Sequence, residues 1–356
     1  MTLCYYVTGH GFGHAIRTTQ ILKSLPPDLP LILKTTAPER IFREELPGRA
    51  FEYVHAEYDC GCLQSDSVTV LPRETLTLYS EIARRNAADL ADEVAFLHRR
   101  GVRCVVSDVP SFPLHAAKTG GVPSVAVANF TWHDIYSEYV KTRADADLLS
   151  EMASQYAETT VACLTPLDVP TVGDVFPNVL HVPLVARRGQ DVRSTLMDDL
   201  GILPGKRLGL LYLGNWGLDI HWPALERWTD WVFLLDRPLP QPIANAQAFD
   251  PGRWRYADIA ASVDAVISKA GYGTVTECIA NSVPLIYLPR HGFVEHASLV
   301  FGMKPWGGGV EIPEDAFLAG DWGEALTAAS QATLNPNAYA TNGADVIAQK
   351  IMEYCR

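Results

Sequence analysis

The sequence predicts an α/β protein built from two doubly wound, Rossmann-like parallel-sheet domains that face each other across a cleft. Three observations carry this expectation. Short apolar runs without polar alternation are each followed by a helical segment, the pattern of a parallel sheet covered on both faces. The same alternation restarts after the polar, aperiodic stretch Ala186-Arg187-Arg188-Gly189-Gln190. The chain of 356 residues is also longer than one ordinary core requires, so two domains of roughly 150–200 residues are expected.

In chain order, strands are expected over residues 3–7, 31–33, 51–54, 102–106 and 124–127, with helices over 14–25, 39–46 and 74–99 between them. In the second half, strands are expected over 207–213, 231–235, 265–267 and 285–288, with helices starting at Trp222, Gly273, Val294 and Trp322. Residues 343–354 read as a last helix that returns to the first domain. The expected boundaries are therefore 1–184, 191–340 and a C-terminal helix within 341–356.

Composition narrows the partners. A formal charge of −12 does not suit a protein that coats nucleic acid or an anionic membrane. No apolar run approaches the roughly 20 residues that span a bilayer, and residues 1–7 lack the pattern of a secretory signal, so a cytoplasmic location is expected. Seven scattered cysteines do not form a disulfide framework. Cys60-Gly61-Cys62 is the one close pair, and no second pair at ligand spacing accompanies it, so no metal site is expected.

In an open parallel sheet, ligands bind beyond the carboxyl ends of the strands. The first loop of this kind is Gly9-His10-Gly11-Phe12-Gly13-His14. Alternate glycines allow a tight turn and a close backbone approach to a ligand, with Gly11 and Gly13 nearest the ligand, and His14 opens the next helix facing the cleft. A nicotinamide-dinucleotide site fits poorly. The third glycine falls one residue early for that fingerprint, and Leu33-Lys34-Thr35-Thr36 offers no carboxylate for a ribose. There is no Gly-Lys-Ser/Thr phosphate loop either. A tight turn with a capping histidine is the plain structural alternative.

The second loop, Ser268-Lys269-Ala270-Gly271-Tyr272-Gly273-Thr274-Val275-Thr276-Glu277, leaves a strand and enters a helix. Free N–H groups around Gly271 and Gly273 can hold a diphosphate, Thr274 adds a hydroxyl, and Glu277 lies one turn on, where its carboxylate can accept from ribose hydroxyls. Lys269 either screens the same phosphates or is simply a surface residue. Asp108 ends the fourth strand, placed to orient an imidazole, to act as a base itself or to cap a helix. Trp132, His133 and Tyr136 leave the fifth strand together, where aromatic faces either stack on an acceptor or fill the core. His291, Glu295 and His296 have the wrong spacing for a zinc site and read as polar contacts to a sugar.

Residues 268–289, with Gly-Tyr-Gly-Thr-Val-x-Glu followed by Pro284 and an apolar strand, resemble the donor-site signature of GT-B glycosyltransferases, among them the peptidoglycan N-acetylglucosaminyl transferase and the small-molecule glycosyltransferases. Residues 9–17, Ser107-Asp108 and Asn129-Phe130-Thr131-Trp132 look especially like the glycosyltransferase-like N-terminal region of plant L-arabinokinases. The resemblance implies a GT-B fold with an acceptor-side first domain and a donor-side second domain. It implies that His14 is the base on the acceptor hydroxyl and that Glu277 binds the nucleotide ribose. It also implies that Gly214 and Asn215, in Gly214-Asn215-Trp216-Gly217, touch the diphosphate. Where the family reads the donor sugar with Asp-Gln-x-x-Asn, this chain has Arg290-His291-Gly292-Phe293-Val294-Glu295-His296.

The expected function is an inverting, metal-independent glycosyltransferase with a nucleotide-diphosphate sugar, by resemblance a UDP-sugar, as donor and no further cofactor. A histidine base and electrophilic backbone amides suit that chemistry. Two alternatives stand beside it: a nucleotide-sugar-binding regulatory module without turnover, and a non-hydrolysing nucleotide-sugar 2-epimerase.

Overall fold

The computed structural model describes residues 2–65, 69–212, 219–239, 241–290 and 292–355. The first half runs β1 (Thr2–Val7), α1 (Gly13–Lys23), β2 (Leu31–Thr35), α2 (Glu39–Glu45), β3 (Glu52–His55), α3 (Pro72–Arg99), β4 (Val102–Asp108), α4 (Phe112–Thr119), β5 (Ser124–Ala128), α5 (Trp132–Ser137), α6 (Arg143–Tyr156), β6 (Val161–Leu164) and β7 (Val179–His181). The second runs α7 (Arg193–Asp199), β8 (Arg207–Tyr212), a 3-10 turn (Trp222–Arg227), β9 (Trp231–Leu235), β10 (Ala246–Ala248), α8 (Tyr256–Ala260), β11 (Ala265–Lys269), α9 (Tyr272–Asn281), β12 (Leu285–Leu288), α10 (Val294–Met303), β13 (Gly309–Glu311), α11 (Glu314–Leu318), α12 (Gly323–Gln331) and α13 (Gly343–Tyr354).

Both sheets are parallel throughout, in the orders β3-β2-β1-β4-β5-β6-β7 and β10-β9-β8-β11-β12-β13. In each, the chain winds outward on one side of its first strand and then crosses to the other. The switch points lie between β1 and β4 and between β8 and β11, where the crevice beyond the strand ends opens.

Strands such as Ser124–Ala128 are buried along their whole length because helices cover both faces, which is why their sequences do not alternate. Apolar clusters fill both faces of each sheet. From α13, Ile347, Ala348 and Ile351, with Cys355 just after it, join the cluster under α1 and β1. Burying each isoleucine contributes about 1.5–3 kcal/mol, which holds the end of the chain against the first sheet.

Three strands run further than apolar periodicity indicated. β2 continues to Thr35, β4 to Asp108 and β11 to Lys269. Their last residues are polar: the Thr35 hydroxyl accepts from the Ala37 amide and the Asp108 carboxylate is met by His14 and Arg17 of α1, contacts that lie outside the apolar pattern. The segment from Trp222, expected as an α-helix, is a six-residue 3-10 turn. Among the described residues, no helix is long and apolar enough to cross a membrane.

Candidate active site

The first wall forms where β1 turns into α1 beside the end of β4. Val7 and Asp108 are register partners, and the Thr8 amide donates to the Asp108 carbonyl at 2.8 Å, so the loop after Thr8 leaves directly over Asp108. His14, in the first turn of α1, brings Nδ1 within 2.8 Å of Asp108 Oδ1. Arg17, one helical turn further, donates from Nε to Asp108 Oδ2 at 2.9 Å and from Nη2 to Oδ1 at 2.5 Å. The carboxylate has no proton to give, so Nδ1–H donates to it and the lone pair sits on Nε2 of His14. Burial would push the Asp108 carboxyl up, but the charge of Arg17 and the hydrogen bonds from Arg17 and His14 outweigh it and hold it below the usual carboxylate range. The result is a histidine oriented by an ionised aspartate.

Arg17 also ties this wall to the other half. Its Nη1 donates to Asn129 Oδ1 at 2.7 Å, and Asn129 Nδ2 donates to Glu295 Oε1, on α10, at 2.7 Å. The guanidinium lies 5.0 Å from the centroid of the Tyr272 ring, at the start of α9. Arg17 sits three residues after His14 on the same helix face, which was the available sequence signal for it.

The two glycine loops meet. A Cβ built on Gly273 would lie 3.3 Å from Gly13 Cα, tight enough that a side chain there would push the loops apart. Gly11 adopts φ +70°, the left-handed region that glycine enters without penalty. Gly271 is the extended N-cap of α9, with no side chain capping the helix, and the first intrahelical bond runs from Val275 N to Gly271 O. The amides of Tyr272, Gly273 and Thr274 precede that bond and are the orphan donors of a helix start. Gly214, Asn215 and His291 lie outside the described residues.

Glu277 is buried, at 6 % exposure. Its Oε1 accepts from Arg187 Nε at 2.8 Å, while Arg187 Nη1 donates to Glu45 Oε1 on α2 at 2.6 Å. Arg187 therefore joins the halves from within the segment read as a linker, which sequence reasoning missed. Burial keeps the Glu277 carboxyl above its ordinary value in spite of Arg187.

For several other candidates, the structure fills in what the sequence left open. Trp132 and Tyr136 pack in the core at 1 % and 0 % exposure, with ring centroids 5.5 Å apart. Trp132 Nε1 donates to the buried Asp59 Oδ2 at 2.9 Å, and the Tyr136 hydroxyl donates to the Gly61 carbonyl at 2.7 Å. Core filling, rather than an open stacking wall, is what those two rings do. His133 lines a depression with Ser137, Val140 and Leu149, between α5 and α6. Glu295 is likewise buried against Asn129, and His296 Nε2 accepts from the Arg290 amide at 3.3 Å. Burial pushes both Cys60 and Cys62 thiols up to about 12, and among the described residues no three His, Cys, Asp or Glu side chains gather as metal ligands.

His10 is a further buried polar group of this wall. Its Nδ1 accepts from the Cys62 amide at 3.3 Å and its ring stacks with Phe293 of the other half. Burial first, then the charges of His14, Arg290 and Lys269, push it down to about 3. An unfolded histidine takes its proton near pH ~6.5, so the stability His10 contributes is full above that pH and is lost as pH falls toward 3. His10→Gln is expected to flatten this part of the pH–stability curve in urea denaturation. An unchanged slope between about pH 4 and 6.5 would assign the acid sensitivity to other groups.

No family model matches the chain. It is 32% identical over 338 residues to L-arabinokinase from Arabidopsis thaliana, an alignment covering 90% of this chain and 31% of that protein. The chain thus spans about a third of the length of that relative. Among solved structures it is similar to a UDP-glucosyltransferase from Polygonum tinctorium capable of glucosylating indoxyl (TM-score 0.63, 16% identity, 99% of this chain and 93% of that one). It is also similar to the calicheamicin glycosyltransferase CalG4 (0.58, 17%, 99% and 95%). SnogD, a glycosyltransferase from Streptomyces nogalater, matches comparably (0.57, 17%, 99% and 99%). At these identities the likeness to solved structures is one of fold.

Proposed function

We propose, on the premise that this chain carries the GT-B fold, that it is a glycosyltransferase moving a sugar from a nucleotide-diphosphate donor to an acceptor hydroxyl. Uridine is the expected base of the donor, the configuration inverts at the anomeric carbon, and no metal takes part. The observation that carries this reading is the facing pair of walls, with the His14–Asp108 pair on one side and the uncapped start of α9 on the other, Gly13 against Gly273.

The chemistry follows from those positions. The acceptor O–H donates to His14 Nε2, and its oxygen attacks the anomeric carbon from the face opposite the leaving group. As the proton transfers, the imidazolium is stabilised by Asp108, which Arg17 keeps ionised. The bond from the anomeric carbon to the diphosphate breaks, and negative charge grows on phosphate oxygens at the orphan amides of α9. Glu277 holds the ribose through Oε2 while Arg187 fixes Oε1. The enzyme works in the cytoplasm and does not bind nucleic acid.

A thermal-stabilisation panel of nucleotides and nucleotide sugars tests the donor half of this account. A specific ligand at 100 times its Kd raises stability by about 2.7 kcal/mol. UDP and at least one UDP-sugar are expected to do so, and Glu277→Ala to remove most of the gain, because hydrogen bonds to a carboxylate contribute about 1.5–3 kcal/mol. Wild-type protein left unmoved by every nucleotide would refute the reading.

A further inference from the structure

A buried chain of hydrogen bonds runs from the His14–Asp108 pair into the second half. Asp108 accepts from Nε and Nη2 of Arg17, Arg17 Nη1 donates to Asn129 Oδ1 at 2.7 Å, and Asn129 Nδ2 donates to Glu295 Oε1 at 2.7 Å. Arginine only donates and a carboxylate only accepts, so the Asn129 amide has one possible orientation between them. All four side chains are buried, and Glu295, whose sequence position suggested a sugar contact, is 4 % exposed. The segment that leads into α10 is seated against the first half as well. The Tyr139 hydroxyl donates to the Gly292 carbonyl at 3.3 Å. The Phe293 ring lies 6.2 Å from Phe130, which packs edge-on against His14 at 5.5 Å.

The geometry at the histidine end gives this chain a chemical consequence. Arg17 Nη2 lies 2.5 Å from Asp108 Oδ1 and 3.2 Å from His14 Nδ1, while Nδ1 is 2.8 Å from that same oxygen. Two donors, Nη2–H and Nδ1–H, therefore share one carboxylate oxygen, and the bare nitrogen of the ring is Nε2. A small turn of the guanidinium would aim an Nη2–H at Nδ1 instead. Nδ1 would then accept, its proton would reside on Nε2, and no lone pair would face the acceptor hydroxyl. What resists that turn is the grip on the far side of the guanidinium. Asn129 holds Nη1, Glu295 holds Asn129, and Tyr272, the first residue of α9, places its ring 5.0 Å away.

We infer that Asn129 and Glu295 are positioning residues that set the tautomer of His14 across the interface between the halves, so that the base exists only while α9 and α10 are docked. This deepens the glycosyltransferase reading and rests on it. Opening the cleft takes Glu295 and Tyr272 away from the first half, releases the far side of Arg17 and lets the imidazole proton move from Nδ1 to Nε2. Base competence is thereby tied to the closed arrangement in which the donor wall faces His14.

Two measurements on the full chain test this. One is single-turnover transfer, corrected for folded fraction, beside calorimetric donor affinity. The other is nitrogen-15 NMR of histidine-labelled protein, with the His14 signals assigned by their loss in His14→Gln. The variants are Glu295→Ala, Asn129→Asp and the swap Asn129→Asp/Glu295→Gln. Asn129→Asp alone sets two carboxylates face to face, whereas in the swap the new amide donates to the new carboxylate, which still accepts from Arg17. Glu295→Ala and Asn129→Asp are expected to slow transfer about 10–100-fold with donor affinity within about twofold, and the swap to recover most of the Asn129→Asp loss. Wild type is expected to show Nδ1–H with a bare Nε2, the two broken variants a larger share of Nε2–H, and the swap the wild-type pattern. Should Asn129→Asp fail to fold, Glu295→Ala against Glu295→Gln carries the same comparison, because the glutamine oxygen still accepts from Asn129 and alanine accepts nothing.

An unchanged tautomer in the broken variants overturns the inference. If donor binding weakens or the sugar preference alters at the same time, Glu295 is a sugar contact. If only the melting temperature falls, with transfer per folded molecule unchanged, the chain of bonds is structural. In these cases wild-type transfer leaves the glycosyltransferase reading standing. If the tautomer follows the variants and the swap restores it, but no nucleotide sugar is bound or turned over, the positioning inference stands and the glycosyltransferase reading falls.

Discussion

His14→Ala is expected to lower the transfer rate by about 10²–10⁴ while donor affinity stays within about twofold, because the imidazole is used only when the acceptor proton moves. The expectation rests on the 2.8 Å contact between Nδ1 and Asp108, which commits that nitrogen as a donor and turns the other into the base. Asp108→Asn should be comparably damaging. An amide that presents its NH₂ to Nδ1 favours the wrong tautomer, a change that lowers kcat by about 10⁴ in the serine-protease triad. The two substitutions act on one unit, so the double variant should be little worse than the poorer single one. Single-turnover rates at saturating donor, corrected for folded fraction, measure this. Full activity in His14→Ala would remove the histidine from the mechanism.

Arg187→Met should produce the largest loss of stability, about 3–5 kcal/mol near neutral pH, because it leaves Glu45 and Glu277 buried without their shared cation. The effect depends on pH in a defined direction. Burial would raise the Glu45 carboxyl, but Arg187 and Lys23 outweigh it and bring it down to about 2. A depressed carboxylate contributes stability that is fully present above its unfolded value near ~4.3 and is lost as pH falls through the folded one. The gap between wild type and Arg187→Met should therefore be widest above about pH 5 and close toward pH 2, where the carboxylates take up protons. Urea denaturation across that range checks it. A loss below about 1 kcal/mol at pH 7 would show that the bridge contributes no more than a surface pair.

The fold was legible because buried parallel strands are written as unbroken apolar runs, and both glycine loops stand out by composition. The polar ends of β2, β4 and β11 were not, because what buries Thr35, Asp108 and Lys269 is the rest of the fold, which local periodicity does not register. His14 and Asp108 could each be found from a strand end, but their contact joins residues 94 apart and required the sheet order. Arg187 gave no signal at all, since its partner Glu45 is 142 residues away. Trp132 and Tyr136 looked equally suited to stacking on a ligand and to filling the core. What decides is the buried Asp59, which satisfies the indole N–H and lets that ring sink into the core, as the Gly61 carbonyl does for the Tyr136 hydroxyl.

The central claim is that this chain transfers a sugar. Incubating the full chain with UDP-sugars and a panel of hydroxyl acceptors, while following UDP release and the anomeric configuration of the product by NMR, tests it most directly. The expected result is acceptor-dependent release of UDP with an inverted glycosidic bond, abolished by His14→Ala. Tight donor binding without release under any acceptor would contradict the claim in favour of a regulatory module. Conversion of the donor to its 2-epimer without an acceptor would contradict it in favour of an epimerase.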